Sequence, residues 1–242
     1  MKIERTYDIH EQDLDFSGTL RPTALLATML ETSGQAADTG GFGVQDVLPQ
    51  GYTWVISRLS VQIKGSMAIG STGRFTTWIH DCEGVATTRY IRLTDQEGRE
   101  VAAFASNWSL IDLKTRRPAH LTVLPQLEQY REDDQLDTNT VRIENTTQGD
   151  TVTHRVGYND IDFNRHANSI RYVEWMLGMY DRGFWETHRL ERMDLNYLRE
   201  GHWGDEVTIT RQNTPGYDLF DLVIDGKSIC KARLTWKPLE QL

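Results

Sequence analysis

The chain has 242 residues, 38% hydrophobic, 25% charged and 10% aromatic, which is enough apolar material for a packed core and excludes a disordered or collagen-like chain. A formal net charge of −9 argues against general nucleic-acid binding, which depends on neutralising phosphates with Lys and Arg. Cys82 and Cys230 cannot build a disulfide framework, and neither has a second cysteine at a zinc or CxxC spacing, so neither a structural metal nor a cofactor is expected.

In chain order, the N-terminal MKIERTYDIH reads as a short strand or loop; it is charged from its second residue and no later run approaches the ~18 apolar residues of a membrane span, so a cytoplasmic location is expected. A helix is predicted from Pro22, a favoured first-turn residue, through ALLATMLETSGQAA to Gly40-Gly41. It is apolar or small nearly all round, the mark of a helix surrounded by other structure. TWVISRLSVQIKG, RFTTWIHDC, TTRYIRLTD and VAAFASNWSLID alternate as strands do. Residues 118–150 are polar, with seven acids against Arg131 and Arg142, so more than half of the formal −9 resides there. This stretch reads as a linker, with a short helix expected at LPQLEQYRED. A second helix is predicted from about Ser169 to Phe184, followed by strands MDLNYLRE, EVTITRQ, LFDLVID and ICKARLTW, the last two joined by the hairpin signal Asp225-Gly226.

The two halves are a repeat. QDLDFSGTLRPTALLATML (12–30) aligns without a gap on NDIDFNRHANSIRYVEWML (159–177), RLSVQIKGSMAIG (58–70) on RMDLNYLREGHWG (192–204), and GREVAAFASNW (98–108) on GKSICKARLTW (226–236). One helix followed by several antiparallel strands, twice over, predicts an α+β chain of two sheets, each wrapped around its own helix. The expected division is 1–117, linker 118–150, and 151–242.

The repeat supplies an internal control. Where the first half runs Asp15, Ser17, Thr19, the second runs Asp162, Asn164, His166, so only the second carries an imidazole. In an extended stretch these three face one way and Phe163 the other, which makes a convergent polar site. The plainer alternative is that Asp162 and Asn164 make Asx turns, that Asn168 or Ser169 caps the next helix and that His166 is an ordinary loop residue, but it does not account for the added histidine. Glu200 is a second departure, since its counterpart is Ser66; alone it reads as a solvated strand-end acid, and beside the new histidine it becomes a candidate acid/base group.

DIDFNRHANSIRYVEWML resembles the DxDxNxHVNNxxYxxW signature of the plant-type acyl-acyl-carrier-protein thioesterases, and MDLNYLREG resembles their LxLEYRREC segment. The match takes in Asp160, Asp162, Asn164, His166, Asn168, Tyr172 and Trp175, then Leu195, Tyr197, Arg199 and Glu200. Ala167 and Ser169 replace Val and the second Asn, and Gly201 stands where the family carries a cysteine once assigned as nucleophile. The resemblance implies a tandem (double) hot dog fold, hydrolysis of fatty acyl-carrier thioesters to free acid and holo carrier, and Asp162, Asn164, His166 and Glu200 as the catalytic set. Glu200, aided by His166, would activate water or attack directly to give a transient anhydride, and the sequence leaves both routes open. An acyl-CoA thioesterase of the same fold and a noncatalytic acyl-binding protein are the other readings. With the acid/base groups confined to the second half, the first is expected to supply the acyl pocket at Leu25, Leu26, Met29 and Trp54. An acidic acyl carrier protein needs a local basic surface, for which Arg165, Arg171 and Arg182, or Arg116 and Arg117, are candidates. Self-association into a homodimer is left open.

Overall fold

Helix α1 (Pro22–Thr39) opens on a proline whose fixed φ suits a first helical turn, and it stops where Gly40 caps it and Gly41 takes a left-handed φ of 70°. Leu25, Leu26, Met29, Ala36 and Ala37 are buried along it. Its buried Thr28 and Thr32 donate their hydroxyls to the carbonyls of Ala24 (3.1 Å) and Thr28 (2.7 Å), which satisfies the polar atoms that this all-round burial would otherwise strand. The computed structural model describes residues 1–239 and divides into two compact units, Met1–Thr140 and Val141–Leu242.

In the first unit, β1 (Ile3–Asp8), β2 (Tyr52–Ile63), β3 (Thr72–Asp81), β4 (Ala86–Thr94) and β5 (Glu100–Asp112) pair antiparallel in the order β1-β3-β4-β5-β2. A two-residue strand, β6 (Arg117–Pro118), pairs with the end of β5, and a single helical turn, α2 (Val44–Val47), lies between α1 and β2. Helix α1 packs against β1 and β3.

The second unit repeats the plan. It holds β7 (Asp150–Arg155), α3 (Ser169–Leu177), α4 (Arg182–Thr187), β8 (His188–Tyr197), β9 (Glu206–Thr214), β10 (Tyr217–Ile224) and β11 (Lys227–Pro238), with the sheet ordered β7-β9-β10-β11-β8. In both units the order is first, third, fourth, fifth, second strand, so the repeat read in the sequence is a repeat of topology. Each unit is a hot dog, and the chain is an α+β double hot dog.

Two sequence expectations need correction. The helix predicted from Ser169 to Phe184 is two helices: Gly178 caps α3, donating its N–H to Glu174 and Met176, and Asp181 starts α4 by accepting the Phe184 N–H at 2.8 Å. The stretch 118–150 is divided between the units. Its first part carries 3-10 turns at Leu121–Val123 and Pro125–Tyr130 in place of a short α-helix, and Leu121, Leu124 and Leu127 pack with Phe42, Val47, Ile79 and Leu110. Beyond it, Asn196 binds the start of the second part with both ends of its amide, accepting from Ile143 N–H (3.0 Å) and donating to Val141 O (2.8 Å). The Asp225-Gly226 hairpin is as expected: both residues have positive φ, 49° and 70°, the signature of a type I′ turn. Among the described residues no helix is long and apolar enough to cross a membrane.

Candidate active site

The second-unit loop 157–168 is held from its base. Asp160, nearly buried, accepts the Gly157 N–H (2.8 Å) and the Trp175 indole N–H (3.3 Å), and its Oδ2 lies 3.0 Å from His154 Nε2. Burial opposes its charge, but these hydrogen bonds and the adjacent imidazole prevail and hold the Asp160 carboxyl below the usual carboxylate range. Above this base, Asp162 closes a turn. Its N–H donates to His166 O (2.9 Å), and its Oδ1 accepts the N–H of Asn164 (2.8 Å) and, more weakly, of His166 (3.4 Å).

This turn differs from the extended stretch expected from the sequence. Arg165 sits at φ 67°, in the left-handed region, which reverses the chain between Asn164 and His166. Asp162 therefore serves the backbone of the turn, Asn164 is exposed on it, and Phe163 is 83% exposed at its tip. Asn168 accepts the Ile170 N–H (2.9 Å) as N-cap of α3, the role the plainer alternative gave it.

The second segment, 198–205, runs on from β8. Leu198 and Arg199 both donate to Ile229 O, at 2.8 and 3.1 Å. Next to Glu200, Gly201 stitches the two segments together: its carbonyl accepts the Ala167 N–H (2.8 Å) and its N–H donates to the Tyr172 hydroxyl (3.0 Å). That stitch sets Glu200 Oε2 3.4 Å from His166 Nε2, with both side chains open to solvent. A Cβ at Gly201 would meet Tyr172 Oη at 3.2 Å and Ala167 Cβ at 3.4 Å, so a side chain here requires its neighbours to give by a few tenths of an ångström.

Neither cysteine joins the pair. Cys230 is fully buried in β11, which pushes its thiol far up; Cys82, in the first unit, is pushed up to about 11 by burial and by the Glu128 carboxylate it donates to at 3.2 Å. Both thiols are protonated at neutral pH.

His202 is a neighbour that the sequence reading missed. Its ring stands edge-on to His166, centroids 5.1 Å apart and planes at 85°, and the His202 backbone N–H donates to Asp205 Oδ2 at 2.7 Å. The signal was available: His202 lies two residues past Glu200, on the same side of an extended chain.

The expected acyl-pocket residues lie in the first unit. Leu25, Leu26 and Met29 are in the core, Met29 at 0% exposure, and Trp54 is half-buried, donating its indole N–H to Phe42 O at 2.8 Å. A cavity of about 520 Å³ in this unit is lined instead by polar residues, among them His80, Tyr90, Arg131 and Gln135. Of the basic candidates, Arg171 and Arg182 are occupied by Glu174 and Glu186 on their own helices, and Arg116 and Arg117 lie at the turn into β6.

The family models of the acyl-ACP thioesterase N-terminal and C-terminal domains match residues 1–125 and 143–238. The crystal structure of an acyl-ACP thioesterase from Bacteroides thetaiotaomicron superposes with a TM-score of 0.91 at 26% identity, covering 98% of each chain. A 12:0-ACP thioesterase from Umbellularia californica shares the fold, with a TM-score of 0.88 at 20% identity over 98% of each chain. A chloroplastic acyl-[acyl-carrier-protein] hydrolase of Cuphea viscosissima is 24% identical over 98% of this chain and 63% of its own length. The chain spans between half and two thirds of the length of such plant relatives.

Proposed function

Because the chain belongs to the acyl-ACP thioesterase family, we propose that it hydrolyses the thioester between a fatty acyl chain and the phosphopantetheine of an acyl carrier protein, releasing free fatty acid and holo carrier. The observation that carries this reading is the 3.4 Å approach of Glu200 to His166, in a half whose counterpart positions are Ser66 and Thr19. Glu200, steadied by His166, takes a proton from water; the water oxygen bonds to the carbonyl carbon. Collapse of the adduct breaks the C–S bond, and the leaving sulfur receives the proton. Asn164 offers an amide to the water or to the developing oxyanion, and Asp162 keeps the turn in shape.

A carrier-borne substrate suits the surface here. Arg165 and Arg199 are exposed on the two segments that frame the pair, Arg155 is exposed at the end of β7, just before the first of them, and none of the three forms an ion pair among the described residues, which leaves three cations for an acidic partner. Thiol release from acyl-carrier and acyl-CoA thioesters, measured side by side at rising salt, tests this. Carrier preference that fades with salt supports the reading; CoA preference at every salt concentration transfers the activity to acyl-CoA, and no release from either leaves an acyl-binding protein.

The first unit, in the same proposal, receives the acyl chain at Leu25, Leu26, Met29 and Trp54. Substituting Met29 or Trp54 should shift the preferred chain length while the best substrate keeps its rate. A uniform fall over all lengths would return these residues to the core alone.

A further inference from the structure

The third imidazole-side partner of the site has no part in the hydrolysis above. His166, Glu200 and His202 each offer one ligating atom, and the three atoms lie within 4.8 Å of one another. Two imidazoles and one carboxylate are a donor set for zinc-class divalent ions, whose ligands at ~2.0–2.2 Å stand roughly 3.3–3.5 Å apart around a tetrahedron. The His166–Glu200 edge, at 3.4 Å, already has that length. The remaining edges close by rotation of exposed side chains, His202 being 58% and Glu200 41% exposed. The backbone between Glu200 and His202 stays fixed meanwhile, because Gly201 is hydrogen-bonded on both sides, to Ala167 and to Tyr172.

An outer carboxylate stands close to the His202 ring. Asp205 Oδ2 lies 3.7 Å from His202 Nδ1 and accepts the His202 backbone N–H at 2.7 Å. If the rotation that closes the site also brought Nδ1 within hydrogen-bond length, this carboxylate would hold a proton there and leave Nε2 as the ligand, an arrangement common around metal-bound histidines.

We propose that His166, Glu200 and His202 form a clip for a zinc-class divalent cation, and that the ion, when bound, inhibits the hydrolase. A cation on Glu200 and His166 engages the lone pairs that otherwise take the proton from water, and the carboxylate that serves as base becomes a ligand. The inhibition rests on the catalytic reading of this pair; the binding does not.

The test uses the full chain stripped with a chelator, and Zn²⁺ as the probe. Zinc affinity is read by competition with a chromophoric indicator for wild type, His202→Ala and, as a surface control in the first unit, His120→Ala. Wild type and His120→Ala should bind one equivalent with matching affinity, and His202→Ala should bind at least about tenfold more weakly. In the thiol-release assay, each protein's rate is taken relative to its own rate in chelator. Wild type should lose activity with zinc and recover with chelator, whereas His202→Ala should need at least about tenfold more zinc for the same fractional loss. Equal zinc affinity in wild type and His202→Ala, or an equal loss in His120→Ala, overturns the clip. Activity that rises with zinc and falls with chelator overturns the inhibitory role. If no thioester is hydrolysed, the binding comparison still decides the clip, so its failure and that of the functional reading are separable.

Discussion

The two units place the same loop pair on the same scaffold and spend it differently. In the first, Ile9 N–H donates to Ser71 O and Gly70 N–H to Ile9 O; in the second, Val156 donates to Asp205 and Gly204 to Val156. Lys64 and Gly65 share Val101 O as Leu198 and Arg199 share Ile229 O. Asp13 accepts from His10 N–H and the Tyr7 hydroxyl, as Asp160 accepts from Gly157 N–H beside His154, and the one-residue bridges Leu14–Leu20 and Ile161–Ala167 coincide. Against this shared frame the second unit gains three clustered acid/base or ligating groups: Thr19 becomes His166, Ser66 becomes Glu200 and Ala68 becomes His202. The hydrogen bonds that shape the loops are mostly backbone bonds, so side chains could change without cost to the frame.

The comparison breaks most visibly at its centre. His166→Ala and Glu200→Gln should each lower turnover ~100- to 10,000-fold while the melting temperature stays near that of wild type, and Thr19→Ala and Ser66→Ala should leave the rate alone. Near-normal turnover in either second-unit variant would end the assignment of chemistry to that unit. A smaller effect separates the two turn acids. Asp15 Oδ1 accepts the N–H groups of Ser17 (2.8 Å) and Thr19 (3.1 Å), so Asp15→Ala should cost about 1 kcal/mol of stability and no rate. Asp162→Ala removes the equivalent bonds beneath His166 and should cost a similar stability together with a fall in kcat. Equal losses of rate in the two variants would mean that both loops serve the reaction.

How far the sequence reached is clearest in this loop. The repeat alignment picked out His166 and Glu200, because substitution within a duplicated frame is visible without any folding model. Its geometry was misread, since Arg165 is not a residue that announces positive φ. The clue was Gly18, its counterpart, at φ 75°. Strand β7, which each half's plan of a short strand or loop before its helix left unlocated, lies in a polar stretch with mostly exposed side chains, which leaves no alternation to detect. The break after α3 was missed because a single glycine does not interrupt an apolar face, whereas the Asp181 cap that restarts the helix is a local hydrogen bond. The eight longer strands, β2 to β5 and β8 to β11, were all legible, as was the whole of α1.

A gentler way to sharpen the comparison is acid. The Asp160 carboxyl has a folded-state pKa below its unfolded value, so the stability it contributes is full above the unfolded carboxylate range near ~3.9 and is lost as the pH falls through the folded value. Denaturation midpoints of wild type and Asp160→Asn should therefore converge as the pH is lowered from neutrality into that window; a constant gap would show that Asp160 acts by shape alone. The smallest expected effect belongs to the thiols. Cys82→Ser/Cys230→Ser should keep turnover close to wild type, with a modest stability loss from the buried Cys230 site. A folded but inactive double variant, restored by one cysteine, would replace the water mechanism with a thiolate one.

Carrying the frame twice in one chain has a consequence for symmetry. In an assembly of two identical half-length chains, every substitution appears in both copies, so a histidine, an acid or a left-handed arginine gained by one loop is imposed on the other. Covalent duplication removes that obligation. Gly18 keeps the relaxed form of the turn while Arg165 holds the unusual one, and one loop can drift toward chemistry while its twin remains free to answer other demands.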